Sequence, residues 1–272
     1  MPTKKSWIQL SLRSFLILVT VLGVSAAWFA SYANKRWSAF SAIREAGGEI
    51  RMGIGEPSLL EKWFGSELFG IVNKIDMRKG KADNTLLAMI GNLKELRRLD
   101  LSNAKIDDEG LKQIEHLPLR ELWLQSTELT DDSAKILSRM QTLQFLQLNA
   151  TSLSDAFLEQ LQTLPNLDDL GLRGTQVTGE GMKYLVRHPN LRTLDVYSTE
   201  VDDNGVGYLV DCEMLADLGL SLTKITDAVF EHLNKLPNLT EADLTANRLV
   251  TTEAVLAFEK DHPKCDIEWY RK

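Results

Sequence analysis

The sequence predicts an α/β solenoid with a parallel, concave β-sheet on one side and helices on the convex side. The main observation is a leucine pattern, L-x-x-L-x-L-x-x-T-x-L, that recurs about every 24 residues from residue 72 onward. Eight copies can be aligned, and they begin at Val72, Leu96, Leu119, Leu143, Leu167, Leu191, Leu215 and Leu239. A fixed period of this length predicts stacked repeats, because one repeat alone cannot bury its apolar face.

Each repeat predicts a strand, a turn, a helix and a second turn. The L-x-L segment alternates with period two, which suits a short strand with one buried face. A residue suited to begin a helix follows at Asp107, Thr130, Ser154, Thr178, Asp202 and Thr226. Prolines such as Pro165 and Pro189 close the unit, since a proline stops a helix. Strands joined by crossover helices lie parallel, so the repeats predict a parallel sheet.

These residues resemble the leucine-rich repeat family, and the resemblance covers about 190 of the 272 residues. Threonine replaces the family's usual Asn at Thr127, Thr151, Thr175, Thr199 and Thr223. We expect the hydroxyls of this threonine column to satisfy backbone groups of the turns. The helix starts Thr130-Asp131 and Asp202-Asp203 are similar to a bacterial variant. The resemblance implies a horseshoe that binds partners on its concave sheet, without implying one activity.

Residues 14–34 predict a transmembrane signal-anchor helix. Lys4, Lys5 and Arg13 precede this run, which carries no charged residue. Its 21 residues reach about 31 Å as a helix, which matches one hydrocarbon core. Trp28, Tyr32 and Trp37 follow at its far end, where aromatic side chains suit a membrane interface. Together with the repeats, the segment resembles bacterial membrane-anchored members of the family.

A cleaved signal peptide is the alternative for this segment, with Val24-Ser25-Ala26 as the cleavage site. The predicted organisation is a basic tail over 1–13, the anchor over 14–34, a small helical cap over 35–71, eight repeats over 72–262 and a cap strand over 263–272. In the cap, Trp37, Phe40 and Ile43 fall on one helical stripe that should cover the open end of the solenoid, and Ser58 should begin a second helix. The predicted location is the cytoplasmic membrane of a bacterial envelope, single-pass, with the repeats on the exported, periplasmic side.

The chain carries no recognisable catalytic, cofactor or metal motif. Its net charge of -7 argues against a nucleic-acid partner. A Gly-rich phosphate loop, C-x-x-C and H-E-x-x-H are all absent from the sequence. The four histidines lie off the predicted strand faces, and His188 stands where other repeats carry Leu or Met. We therefore predict no catalytic residue, cofactor or metal site, and a protein that is not an enzyme.

The predicted binding surface is the concave sheet, which leans basic at its start, is aromatic in its middle and is acidic at its end. Aromatic residues and arginine dominate binding hot spots. The candidate partner-binding residues are Trp123, Phe145, Arg173, Tyr197, Arg98 and Asp195. Alternatively, Trp123 and Phe145 only pack against each other across adjacent strands. The predicted function is a membrane-anchored, non-enzymatic recognition scaffold for a protein, peptide or glycan.

Two other functions stay open at this point. A carboxylate-dependent hydrolase on the acidic end would need paired acids such as Asp169 and Asp195, about 5 to 10 Å apart. A deep cavity there would favour the hydrolase, and a smooth open face would favour binding. A structural envelope protein that self-associates would need extended apolar exposure on its convex helices.

Overall fold

The computed structural model describes residues 12–53, 61, 62, 65 and 70–269, and for residues 12–22 it describes the backbone only. Within these residues ten strands form one sheet in sequence order. The strands are β1 (Glu49–Met52), β2 (Val72–Asp76), β3 (Arg98–Asp100), β4 (Glu121–Trp123), β5 (Phe145–Gln147), β6 (Asp169–Gly171), β7 (Thr193–Asp195), β8 (Asp217–Gly219), β9 (Glu241–Asp243) and β10 (Asp266–Glu268). Strands β2 to β10 are parallel, which confirms the predicted sheet. Strand β1 is antiparallel to β2.

Helices join the strands on the opposite side. They are α1 (Leu12–Glu45), α2 (Asn84–Ile90), α3 (Asp108–Lys112), α4 (Ser133–Leu137), α5 (Asp155–Gln160), α6 (Asp203–Tyr208), α7 (Phe230–Leu233) and α8 (Thr252–Asp261), with 3-10 helices at Gly179–Arg187, Leu209–Asp211 and Asp227–Val229. The fifth repeat therefore has a 3-10 helix where an α-helix is expected. A Cβ on Gly205 would lie 2.5 Å from Cα of Gly179, so the two backbones approach where only glycine fits.

The core is one continuous stack of leucines behind the sheet. Leu122, Leu146, Leu170, Leu194 and Leu218 occupy the middle of successive strands, pair in register and are fully buried. Each such side chain fills space that its neighbours above and below leave open. The repeats are therefore stable only as a stack, as the period predicts.

The threonine column forms the predicted ladder. Each Oγ1 donates to the carbonyl oxygen three residues earlier, over 2.6 to 2.7 Å, in the pairs Thr127–Leu124, Thr151–Leu148, Thr175–Leu172, Thr199–Val196 and Thr223–Leu220. The residue before each threonine has a positive φ, as at Ala150 (54°) and Gly174 (61°). The hydroxyl thus gives the carbonyl at this sharp turn a short hydrogen bond, and the Leu172 carbonyl also accepts the backbone N–H of Thr175 over 3.3 Å.

A second ladder links each helix start to the next repeat. An Asp carboxylate accepts both the N–H and the hydroxyl of the Ser or Thr that precedes the next helix, with N–H···O distances of 2.7 to 3.1 Å. We call these contacts the Asp clamps, and they are Asp108–Thr130, Asp131–Ser154, Asp155–Thr178, Asp203–Thr226 and Asp227–Thr251. Gly179 occupies the equivalent position in the fifth repeat, so the clamp is missing between repeats five and six.

Helix α1 continues from the predicted anchor into the cap. Phe40 and Ile43 are buried as predicted, and Gly47 (φ 82°) follows the end of the helix. The prediction that Trp37 shares this buried stripe is wrong, because its side chain is 53% exposed. Instead, Arg36 is buried, forms an ion pair with Glu95 and donates to the carbonyl of Gly70. This arginine therefore fastens α1 to the first repeats.

The predicted anchor falls partly outside the described residues, because no side chain of residues 14–22 is described. Within the residues that are described, no helix has the length and apolar character needed to cross a membrane. The predicted helix start at Ser58 also lies outside the described residues.

Candidate binding surface on the concave sheet

The concave sheet presents two rows of side chains to solvent. The first and third residues of each three-residue strand point outward, because successive side chains alternate across a sheet. The first row reads Lys74, Arg98, Glu121, Phe145, Asp169, Thr193, Asp217, Glu241 and Asp266, and the third row reads Asp76, Asp100, Trp123, Gln147, Gly171, Asp195, Gly219, Asp243 and Glu268. We call this surface the concave face.

Trp123 and Phe145 form an aromatic pair in the middle of the concave face. Their ring centroids lie 4.9 Å apart with the planes tilted by 47°. Nζ of Lys74 lies 5.5 Å from the centroid of the Trp123 ring. The two rings pack against each other, as the alternative interpretation expects, but both side chains remain partly exposed. The pair therefore still offers apolar area to a partner.

Arg173, Asp195 and Tyr197 form a second cluster beside the pair. Nε of Arg173 donates to the Asp195 carboxylate, and its guanidinium carbon lies 5.8 Å from the Tyr197 ring centroid. The backbone N–H of Tyr197 donates to Oδ1 of Asp195 over 3.0 Å. The arginine is 57% exposed and the tyrosine 37% exposed, so the cluster is ordered and accessible.

A groove of about 430 Å³ runs along the concave face from β4 to β10. Four of the six predicted residues line it, namely Trp123, Phe145, Arg173 and Asp195. Arg98 and Tyr197 lie outside its lining, and Arg98 is instead paired with Glu121 over 2.7 Å. The groove also includes residues that sequence reasoning did not select as partner-binding, and these are Gln125, Gln147, Asn149, Asp169, Thr193, Asp217, Gly219, Glu241, Asp243 and Glu268.

Asp169 occupies the middle of the groove and is held by an amide chain. Nε2 of Gln147 donates to Oδ1 of Asp169 over 2.7 Å, and Nδ2 of Asn149 donates to Oε1 of Gln147 over 2.9 Å. Gly171 makes room for this arrangement, since a Cβ there would lie 1.9 Å from Oε1 of Gln147. Only the strand pattern, not this amide chain, could be read from the sequence.

The environment of Asp169 opposes its ionisation. Burial raises its pKa to about 6; the Gln147 hydrogen bond opposes this shift, and the neighbouring carboxylates of Asp168, Asp217 and Asp195 add to it. Burial and Asp195 also raise the pKa of Asp217. The groove therefore concentrates negative charge that the protein itself does not fully neutralise.

The two halves of the concave face differ in how their charges are paired. In the N-terminal half, Arg78 contacts Asp76 over 2.6 Å and Asp100 over 3.1 Å. The pKa of Asp76 lies below its usual value, mainly because its carboxylate accepts side-chain hydrogen bonds from Arg78. In the C-terminal half, the Arg173–Asp195 pair is the one ion pair that the described side chains of the face form.

Metal binding and thiol chemistry find no support in the described residues. Over this part of the chain no group of three or more His, Cys, Asp or Glu side chains is placed to hold a metal ion. Cys212 ends the sixth repeat and Cys265 follows the eighth, a separation that predicts no disulfide between them, and both are free and buried. Burial raises the pKa of the Cys212 thiol to about 11, which keeps it protonated and unreactive at neutral pH.

Comparisons with known proteins agree with this architecture. A family model described as a leucine-rich repeat matches residues 94–114. The crystal structure of an internalin (inlF) from Listeria monocytogenes is similar with a TM-score of 0.50 and 16% identity, and the match covers 68% of this chain and 57% of the internalin. The crystal structure of internalin C2 from the same organism has a TM-score of 0.53 and 19% identity, with 75% and 82% covered. No curated protein matches the sequence.

At these identities the likeness defines the fold alone. The repeat period, the parallel sheet and the similar solved structures together show that this chain has the leucine-rich repeat fold. The chain spans 57% of the length of the inlF structure, so the activity of the whole internalin is not carried over.

Proposed function

We propose that the protein is a non-enzymatic recognition scaffold that binds a protein or peptide partner on its concave face. The observation that carries this proposal is the groove of about 430 Å³ with a partly exposed aromatic pair at one end. Aromatic side chains on a sheet face keep apolar area in water unless something covers them. Binding of a partner would bury this area, since large, rigid aromatic side chains supply contact area at low entropic cost.

The dimensions of the groove fit an extended segment. From β4 to β10 the groove crosses six strand spacings, which is about 29 Å. Such a width accommodates a peptide or the edge of a protein. Arg173, with its exposed guanidinium, would then add hydrogen bonds beside the aromatic pair.

The test begins with crosslinking of the tagged full-length protein in cells, followed by identification of what co-purifies. Trp123→Ala and Phe145→Ala should each weaken binding of that partner by about 2 kcal/mol, as expected for hot-spot residues. Tyr208→Ala is the matched aromatic control, because this tyrosine is 40% exposed on α6, on the convex side. If Tyr208→Ala weakens binding and the two concave changes do not, the binding site is on the convex side.

A carboxylate-dependent hydrolase is the second candidate, favoured by the raised pKa of Asp169, because a general acid must hold a proton near neutral pH. Against it, the groove is open to water and Asp195 is engaged by Arg173. Incubation with peptide and glycoside substrates tests this function. Turnover that Asp169→Asn abolishes would establish the hydrolase and overturn the non-enzymatic proposal.

We further infer that residues 14–34 anchor the protein in the cytoplasmic membrane, with the repeats on the exported side. The support is the 21-residue uncharged run behind three basic residues, together with the continuous helical backbone from Leu12. Fractionation of cells and N-terminal sequencing test this inference. A soluble mature form that starts at Ala27 would contradict the anchor, and would instead show the cleaved signal peptide.

A further inference from the structure

The charge of the concave face is strongly asymmetric. The outward positions of β6 to β10 carry seven carboxylates and no basic residue. The outward positions of β2 to β5 carry two basic and three acidic residues. Arg173, just after β6, is the basic residue nearest to the acidic positions that line the groove. A partner seated along the groove therefore meets a neutral, aromatic half and then an acidic half.

The acidic half is only partly neutralised by the described part of the protein. Arg173 pairs with Asp195, whereas Asp217, Glu241 and Glu268 form no ion pair with any described basic side chain. Like charges on adjacent strands repel each other. The raised pKa values of Asp169 and Asp217 reflect burial first and then this repulsion. A cation placed in the groove would relieve this repulsion.

The geometry suits a cationic side chain in particular. Phe145 and Asp169 are register partners on adjacent strands, so an aromatic ring and a carboxylate lie side by side. A guanidinium or ammonium group can lie over the ring while it donates to the carboxylate. Gly171 and Gly219 occupy alternate positions of the third row, and the side chains of Gln147 and Asp195 lie over them. Acceptor oxygens of these two side chains therefore line the floor of the groove, where a basic side chain can donate to them.

We infer that the partner presents an extended segment rich in arginine or lysine to the acidic half of the groove, with a basic side chain lying between Phe145 and Asp169. This inference rests on the proposed function, because it names the chemistry of the partner at the same surface. Charge complementarity selects the cationic segment over an acidic or apolar one.

The test uses two synthetic peptides with the full-length protein in mild detergent, one alternating Arg and Ala and the other alternating Glu and Ala. Calorimetry at pH 7.5 and low ionic strength gives the affinities, and added salt should weaken binding of the Arg peptide. The double variant Asp217→Asn with Glu241→Gln should weaken it by about 10-fold, because it removes two charges from the groove. The control is Glu159→Gln with Glu231→Gln, which removes the same charge from exposed positions on α5 and α7.

The control pair should change the affinity less than about 2-fold, because charges outside the groove act only through screened, long-range attraction. If both double variants weaken binding of the Arg peptide equally, or if the Glu peptide binds as tightly as the Arg peptide, the inference of a cationic segment is wrong. Phe145→Ala separates this failure from a failure of the scaffold proposal. If Phe145→Ala weakens binding of the crosslinked partner and the double variant Asp217→Asn with Glu241→Gln does not, the scaffold proposal stands and the cationic segment is wrong. If neither variant weakens binding of that partner, both proposals fail.

Discussion

His188 should make the stability of the repeat domain depend on pH. Its side chain is 2% exposed, in the position where other repeats carry an apolar residue. Nδ1 accepts a hydrogen bond from the backbone N–H of Leu164 over 3.2 Å, so that nitrogen carries no proton in the folded state. Burial lowers the pKa of His188 from 6.5 to about 4, and the charge of Arg187 adds to the shift.

The sign and the size of the effect follow from this pKa. Between pH 6.5 and about 4 the unfolded chain binds a proton at His188 and the folded chain does not. The contribution of His188 to the free energy of unfolding is therefore complete above pH 6.5, and it is lost as the pH falls toward 4. Each pKa unit corresponds to about 1.4 kcal/mol, so the loss by pH 4.5 is about 2 to 3 kcal/mol.

The assay is urea unfolding of the wild type and of His188→Asn at pH 7.5 and pH 4.5. Asparagine keeps an oxygen near the position of Nδ1 that can accept from Leu164, but it does not titrate. Other groups titrate in this range, and Asp169 acts in the opposite direction, because its folded pKa is raised and stability rises as it becomes protonated. The difference between the two proteins cancels these contributions.

We expect the wild type to lose about 2 to 3 kcal/mol more than His188→Asn between the two pH values. At pH 7.5 the variant should be the less stable protein, because a smaller side chain leaves a cavity. Equal losses in the two proteins would refute the reasoning, since a buried neutral imidazole could then not be the source of the pH dependence.

Three further predictions concern the core and are checked by urea unfolding at pH 7.5. Leu170→Ala removes a fully buried side chain from the stacked strands and should lower the free energy of unfolding by about 2 to 5 kcal/mol; a loss no larger than that of the surface change Lys183→Ala would contradict the assigned core. Thr175→Val removes the shorter of two hydrogen bonds to the Leu172 carbonyl and keeps the backbone N–H of residue 175 as a donor, so it should cost about 1 kcal/mol; no change in midpoint would show that the ladder does not contribute. Ser133→Ala should raise stability by about 1 kcal/mol, because its buried Oγ has no hydrogen-bond partner within the described structure; a loss of stability would point to a bond that the structure does not contain.

The repeat architecture could be predicted because it depends on periodic features. The spacing of Leu122, Leu146 and Leu170 sets both the strand and its register, so one pattern determines the sheet and the core. The threonine ladder was predictable for the same reason, since its bonds are local to one turn. Strand β1 was not predicted, because its pairing with β2 depends on a contact distant in sequence.

The site was predicted only in part, because its details depend on neighbours in other repeats. The exposed aromatic pair follows from the alternation of β4 and β5. The orientation of Asp169 depends on Gln147 one repeat earlier and on the space at Gly171, which no single repeat reveals. Trp37 was assigned to the core from helical spacing alone, but its neighbour Arg36 takes the buried position, where it pairs with Glu95, and Trp37 faces solvent.

The missing Asp clamp at Gly179 has a mechanical consequence. A solenoid behaves as a line of units that are coupled only to their neighbours, so it opens first at its weakest junction. Repeats five and six lack the Asp clamp that five other junctions have, and in the groove they are joined by the Arg173–Asp195 pair. At this junction the backbones of Gly179 and Gly205 approach closely instead, so packing and the Arg173–Asp195 pair replace the hydrogen bonds of the clamp. A ligand that lies across β6 and β7 would contact both repeats, and its binding should oppose their separation.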